Sequence, residues 1–344
     1  MKTIKALTAL LLALSLSACT TSQSESEDKG KVVVYSPHGE EILDAISEWF
    51  YEDTGIEVEY LFMGGGELVD RIRAEKNNPQ ADIIYGNPSN VFEEMKRDDL
   101  LQPYDLSIKD KLPSEFVDKD GYYYGTIQTP VMLFYNHDLL SEEDAPKDWS
   151  DLADPKYENS IMLRTTTSAA SRATISALIE QYDKVGDIEG AWDYLRAVDK
   201  NVKAYYPDSN LMFQGIAKGE ATVGFWTLDG ITQNINDNSM PFTVVPPESG
   251  AVVISDGVAI IKDCQNLENA QKFMEYVASE EVQTRLANEF DRMPTNPDAL
   301  ANSPEWMTTF EFKTMDTNWA TLTDKQSEWM QYYNDEIVSA SKQE

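Results

Sequence analysis

The feature that most limits the fold is a repeated change of hydrophobic period, from β-branched runs to amphipathic helices and back. KVVVYSP, from Lys31, is a β-branched run closed by Ser36-Pro37 and reads as a buried strand. EEILDAISEWFYEDTG follows, with Ile42, Leu43, Ile46, Trp49 and Phe50 on one helical face and Gly55 as the stop. A second strand, IEVEYLFM, leads into Gly64-Gly65-Gly66 and the helix ELVDRIRAEK; a third, ADIIYG, follows Pro79. Strands and helices alternating at this spacing predict a parallel sheet covered on both faces.

The pattern then restarts, which predicts a second lobe. GTIQTPVMLFYNHDLL is an apolar strand, and DAPKDWSDLADPKYEN after it is rich in turn residues. ENSIMLRTTTSAASRATISALIE supplies a strand, a Thr/Ser turn and a helix. AVVISDGVAIIKD is another strong strand, followed by an amphipathic helix pair in NLENAQKFMEYVASEEVQTRLANEF. The stretch from Ser303 to Glu344 reads as helical with few boundaries. No internal repeat and no further membrane span is found.

Location is read from the first residues. Lys2 and Lys5 precede an apolar run from Ala6 to Leu16, too short for a spanning helix, which takes ~20 residues. Leu16-Ser17-Ala18-Cys19 closes it with small residues before a cysteine, so the segment reads as an export signal and resembles a bacterial lipoprotein signal. That resemblance implies a lipid on Cys19, and TTSQSESEDK then reads as a flexible tether. An ordinary signal peptide or an uncleaved anchor is the alternative. The expected location is outside the cytoplasm, on a cell surface or in a periplasm, with the body leashed to the membrane.

The 344 residues carry 60 acidic against 28 basic side chains, a net charge of −32, which disfavours nucleic acid as a partner. With Cys19 lipidated, Cys264 is left without a disulfide partner and reads as a passive thiol. An exported body of this size has core enough to do without a disulfide.

Several segments, in order, resemble the solute-binding lipoproteins of ABC importers, in the cluster of ferric-ion, thiamine, phosphonate and sugar-phosphate binders. They are VVVYSPHGEEILDAISEWFYEDTGIEVEY, GGGELVDRIRAEKNNPQADIIYG, LLQPYD, FQGIAKGEATVGF, ISDGVAIIKDCQNLENAQKFMEYVASEEVQ and RMPTNP. The resemblance implies an α/β periplasmic-binding-protein-like fold of type II, with two lobes, a two-strand hinge and a solute in the cleft. A membrane permease would be the partner that recognises the closed form. The expected division is 1–18 signal and 19–30 tether, then 31–129 with 255–305 as one lobe and 130–254 with 306–344 as the other. A monomer without a cofactor is expected. The hinge crossings would fall near Gly125 to Val131 and Ile254 to Gly257.

Ligands of open α/β sheets sit beyond the carboxyl ends of strands, which selects the loops to inspect. In RTTTSAASRAT, Thr166, Thr167 and Ser168 stand where a helix begins, flanked by Arg164 and Arg172; hydroxyls, unpaired amides and guanidinium forks suit an oxyanion. The plainer alternative is an N-cap with two solvated arginines. Gly65 and Gly66 lack the Lys-Ser/Thr of a nucleotide loop and read as a glycine turn at the cleft. Ser36 and His38 follow the first strand, Asn87 the third, and Gln128 lies at a crossing. Trp226 offers a stacking face, while Asp208, Ser209, Asn210 and Asp229 offer polar contacts.

Ferric relatives are expected to show adjacent tyrosines after the segment matched by GEATVGF, where this chain has Trp226-Thr227-Leu228-Asp229. Tyr205-Tyr206 stands about twenty residues too early, and Gly86-Asn87-Pro88 replaces the expected acidic ligand. The reading is therefore a receptor for a small anionic organic solute such as a sugar phosphate or phosphonate, with a ferric or other metal receptor as the alternative. An exported hydrolase is the distant one, since no G-x-S-x-G or H-E-x-x-H motif is present.

Overall fold

The computed structural model describes residues 29–343; the signal, Cys19 and most of the tether lie outside them. The first βα run is β1 (Lys31–Ser36), α1 (Glu40–Thr54), β2 (Glu57–Phe62), α2 (Gly65–Ala74), β3 (Ile83–Pro88), α3 (Ser89–Arg97) and the short β4 (Leu101–Gln102). A long strand, β5 (Tyr124–Asn136), carries the chain onward to β6 (Ile161–Arg164), α4 (Ala169–Asp183), α5 (Ile188–Asn201) and β7 (Val202–Tyr206). Then come α6 (Ser209–Ala217), β8 (Val223–Thr227), α7 (Leu228–Asn238) and β9 (Phe242–Val245). The return strand β10 (Val252–Ile261) leads to α8 (Leu267–Ala278), α9 (Glu280–Phe290), α10 (Pro297–Ala301), α11 (Glu305–Thr308) and α12 (Trp319–Tyr332).

The strands order as β2-β1-β3-β10-β5-β8-β6-β7, with β1 parallel to β2 and β3, and β6 parallel to β7 and β8. β10 and β5 run antiparallel to each other and to their neighbours, so they are the two strands shared by the halves. The result is a mixed α/β fold of two lobes. Apolar clusters lie on both faces of each half. Val34, Ile46, Phe50, Tyr85 and Phe273 pack one face of the first half, and Leu68, Ile84, Phe92 and Met95 the other. In the second half Leu133, Leu163, Trp192 and Tyr205 oppose Phe134, Phe213, Leu228 and Ile231.

The register slips by a bulge at Asp256/Gly257 against β5 and at Gly257/Val258 against β3. Bulges bend a strand, and this one falls where β10 passes from one half to the other. The C-terminal stretch departs from the expected continuous helix. Ala251 pairs its backbone with Lys313 and Met315, which holds residues 313–315 extended along β10, and only α12 forms a long helix there.

Candidate functional site

The topology gathers the inspected loops at the shared strands. β2, β1 and β3 are neighbours, so their carboxyl ends bring Ser36–Glu40, Met63–Glu67 and Gly86–Ser89 together. β8, β6 and β7 do the same for Trp226–Asp229, Arg164–Ser168 and Asp208–Asn210. Pairing of Asn87 and Pro88 with Gly257 and Asp256, and of Thr227 with Val131, sets both groups against the crossing strands. A narrow crevice there is lined by Gln128, Pro130, Asp229, Arg292, Met293 and Trp306.

In the first half, Ser36 is fully buried and its Oγ accepts from the His38 backbone N–H at 3.1 Å, turning the chain into the cleft. The His38 ring lies against Gly86, where an added Cβ would fall 2.2 Å from ring carbon Cδ2; with φ +99° as well, the position admits only glycine. His38 is 8% exposed, and its Nε2 is buried without a partner. Burial, helped by the charge of Arg292, lowers its pKa to about 4, so the imidazole is neutral at physiological pH. Gly65 leaves room for Asn87, whose Oδ1 would stand 2.3 Å from a Cβ there. Asn87 is 1% exposed and its Nδ2 has no partner. Gly66, the second residue of α2, faces open space.

In the second half, Arg164 lies over the Trp226 ring, 5.0 Å from its centroid, and its guanidinium donates to the Pro207 carbonyl at 2.6 Å. Its Nε is buried and unpartnered. The hydroxyls of the Thr/Ser turn are engaged within the protein. Thr167 pairs with Thr165 at 2.6 Å, Thr166 donates to Asn334 Oδ1 at 2.9 Å, and the Ser168 Oγ caps α4 through the Ser171 amide. Asp208 caps α6 by accepting from the amides of Asn210 and Leu211, so Ser209 and Asn210 present that helix start. Gln128 donates Nε2 to the Pro294 carbonyl at 2.6 Å, tying the crossing strand to the segment after α9. Asp229, in the first turn of α7, has a buried Oδ1 without a partner.

Arg292 is the residue that sequence reasoning missed. It sits in the quoted RMPTNP segment, and backbone pairs Gln128–Met293 and Thr295–Thr126 lay that segment beside β5. Its Nε is buried and unpartnered, and its positive charge acts on Asp256, His38 and Tyr85. Asp256, held in the sheet between Pro88 and Ile127, makes no side-chain hydrogen bond. The residue keeps part of its surface exposed, and its crowding by the sheet pushes its carboxyl up to about 7, against the pull of Arg292 and with the repulsion of Asp229. The only sequence signal for either was position: a charged residue at a strand crossing, and one next to the final turn.

The helix starts of the cleft differ. α4 and α6 carry side-chain caps, whereas α1, α2, α3 and α7 have none, leaving their first amides to solvent or a ligand. Of the tyrosine pair, Tyr205 is fully buried and donates to Asp199 Oδ1 at 2.9 Å, while Tyr206 ends β7 opposite Arg164. Among the described residues no three or more His, Cys, Asp or Glu come together as a metal site. Cys264 is half-buried, and burial raises its thiol pKa to about 11.

Two lobes, a two-strand crossing and a polar crevice at the strand ends define a solute-binding architecture, and the comparisons agree with it. Residues 78–318 match the family of bacterial extracellular solute-binding proteins, and the chain belongs to that family. It is 32% identical over 311 residues to a protein of Sinorhizobium fredii named as an ABC transporter periplasmic-binding protein, covering 89% of this chain and 86% of the relative. A Salmonella typhimurium protein named for 2-aminoethylphosphonate binding is 25% identical over 307 residues, 86% of this chain and 87% of the relative. In fold, a Trichodesmium protein solved with iron and citrate superposes with a TM-score of 0.78 at 19% identity, covering 89% of this chain and 98% of its own. The chain is the solute-binding receptor of an ABC importer, a transport component. No helix of the described residues is long and apolar enough to cross a membrane.

Proposed function

We propose that the cleft captures a small organic solute bearing an oxyanion, a phosphonate or phosphate ester, and presents it unchanged to the importer's permease. The observation that carries this reading is a set of buried polar atoms without partners at the cleft: the donors Asn87 Nδ2, Arg164 Nε and Arg292 Nε with the neutral His38 Nε2, beside the carboxylate oxygen Asp229 Oδ1. Buried donors left unpaired cost stability unless a ligand completes them. A donor-rich pocket with uncapped helix starts is complementary to several oxygen acceptors, and Asp229 to a hydroxyl or amine on the same molecule. The Salmonella relative's name supports the class. Ferric iron wants a group of anionic oxygens; the buried Tyr205 hydroxyl is engaged with Asp199, and Arg292 places positive charge in the crevice.

The lobes are taken as 31–129 with 255–305, and 130–254 with 306–344. The body is taken to act as a monomer, leashed outside the cytoplasm through lipid on Cys19. Calorimetry with methylphosphonate, glucose 6-phosphate and inorganic phosphate should detect binding that Arg164→Ala or Arg292→Gln weakens at least tenfold. Silence from all three probes, with a coloured complex on ferric loading, would overturn the reading. Cys19→Ala should move the protein from the membrane to the soluble fraction, and retention there would exclude the lipid anchor.

A further inference from the structure

We propose that the chain carries a second binding site, on the crossing strand β10 and apart from the solute crevice, for a small molecule with an apolar body, a hydroxyl at its inner end and a protonated amine at its outer end. The pairing of β10 leaves room for it. β3 pairs with β10 only from Asp256 onward, and the extended run at residues 313–315 pairs with it only at Ala251. The edge from Val252 to Ser255 is covered by neither. A cavity of about 350 Å³ lies against it, with Val253 and Ser255 on one side, residues 114–116 ahead of β5 on another, and residues 314–319 leading into α12 on a third. None of the residues lining it lines the crevice of Gln128, Asp229 and Arg292.

The inner wall is apolar with one polar atom. Phe116, Val253 and Met315 are buried, and so is the hydroxyl of Ser255, a residue 2% exposed whose Oγ has no hydrogen-bond partner. Gly125 makes that placement possible, since a Cβ there would stand 2.2 Å from Ser255 Oγ and 3.1 Å from Phe116 Cβ. A buried hydroxyl without a partner costs stability until something pairs with it. A hydroxyl on a molecule entering the cavity supplies that partner. The outer wall differs in character: Glu115 and Asp316 are exposed, and Trp319 offers a half-buried indole. Asp316 is paired with Lys184 at 3.2 Å, whereas Glu115 makes no ion pair among the described residues, and no Lys, Arg or His lines the cavity. An unpaired carboxylate and an indole face on one rim suit an ammonium, and the net charge of −32 favours a cation there over an anion.

The test is calorimetry on the whole protein with three probes of one shape. Tyramine and phenethylamine differ by the inner hydroxyl, and phenethylamine and 2-phenylethanol by the charge at the other end. Tyramine should bind about threefold to tenfold tighter than phenethylamine, the effect of one hydrogen bond. Ser255→Ala should erase that difference, while its melting temperature holds or rises because an unpaired hydroxyl has gone. Phenethylamine should bind about twofold or more tighter than 2-phenylethanol, and Glu115→Gln should narrow that gap. Asp229→Asn should leave the tyramine affinity where it was; loss of binding there would put the amine in the solute crevice and overturn the inference. Silence from both amines at millimolar concentration would leave the cavity to water and overturn it too. So would amine binding that Ser255→Ala and Glu115→Gln both leave unchanged, or equal binding of the amine and the alcohol.

Discussion

At the residue scale the first half of the cleft turns on His38, and a neutral buried imidazole has a consequence for acid stability. Its folded pKa of about 4 lies below the ordinary value of 6.5, with burial the main cause. Between those values the unfolded chain binds a proton that the folded chain refuses, so stability is present above pH 6.5 and is lost as pH falls toward 4. The slope attributable to one such group is at most about 1.4 kcal/mol per pH unit. His38→Gln keeps the size and polarity without the titration. Its melting temperature should fall less than that of the wild type between pH 7 and 4.5, as measured by thermal denaturation. Superimposable profiles would mean that His38 is solvated in solution and its ring is not held against Gly86. The same ring explains the glycine: its Cδ2 occupies the place a Cβ would need.

At the scale of elements, much of the fold was legible because hydrophobic period reports it directly. KVVVYSP, IEVEYLFM and ADIIYG became β1, β2 and β3, and the Ile42, Leu43, Ile46, Trp49, Phe50 face is the buried face of α1. GTIQTPVMLFYNHDLL and AVVISDGVAIIKD contain the two crossing strands, β5 and β10. Periodicity could not reveal the extended run near Lys313, since its order comes from pairing with Ala251, a partner remote in sequence. The inspected loops were legible for a related reason: strand ends are where such sheets leave their backbone unpaired. What individual side chains do there was less legible. Thr166, Thr167, Ser168 and Asp208 have the composition of ligand donors, yet all four make bonds inside the protein. Arg292 was invisible because its place beside β5 depends on the Ile127–Pro294 bridge. A single sequence records residue types, and the partners that already occupy them appear only in three dimensions.

At the scale of the whole molecule, α12 joins the lobes by a route other than the two strands. Leu322, Trp329 and Met330 belong to the core of the second half, and Lys325 and Gln326 bond Asp183 and Ser176 of α4 at 2.6 and 3.1 Å. The same helix reaches the first half at α3, where the Thr323 hydroxyl lies 2.9 Å from both the Asn90 carbonyl and the Trp319 carbonyl of its own helix, and Asp324 pairs with Arg97. α3 begins immediately after Asn87-Pro88, so this contact lies on the element that frames the cleft. If the lobes turn about the bulge at Asp256/Gly257, α3 moves relative to α12 and the contact must break or slide. A bond present in the closed state and absent in the open one contributes to closure by its full difference, and solute affinity inherits that contribution. The Arg97–Asp324 pair is about half exposed, so solvent screening leaves it a few tenths of a kcal/mol, and the hydroxyl bond, whose one proton is shared with the Trp319 carbonyl, adds at most about 1 kcal/mol. Thr323→Val combined with Asp324→Asn should therefore weaken methylphosphonate binding about threefold to tenfold, with a larger radius of gyration at subsaturating solute. The melting temperature of the solute-free protein should change little, because the core packing of α12 is untouched. Unchanged affinity alongside a lowered melting temperature would show that α12 and α3 move as one body, and would place the closing motion elsewhere.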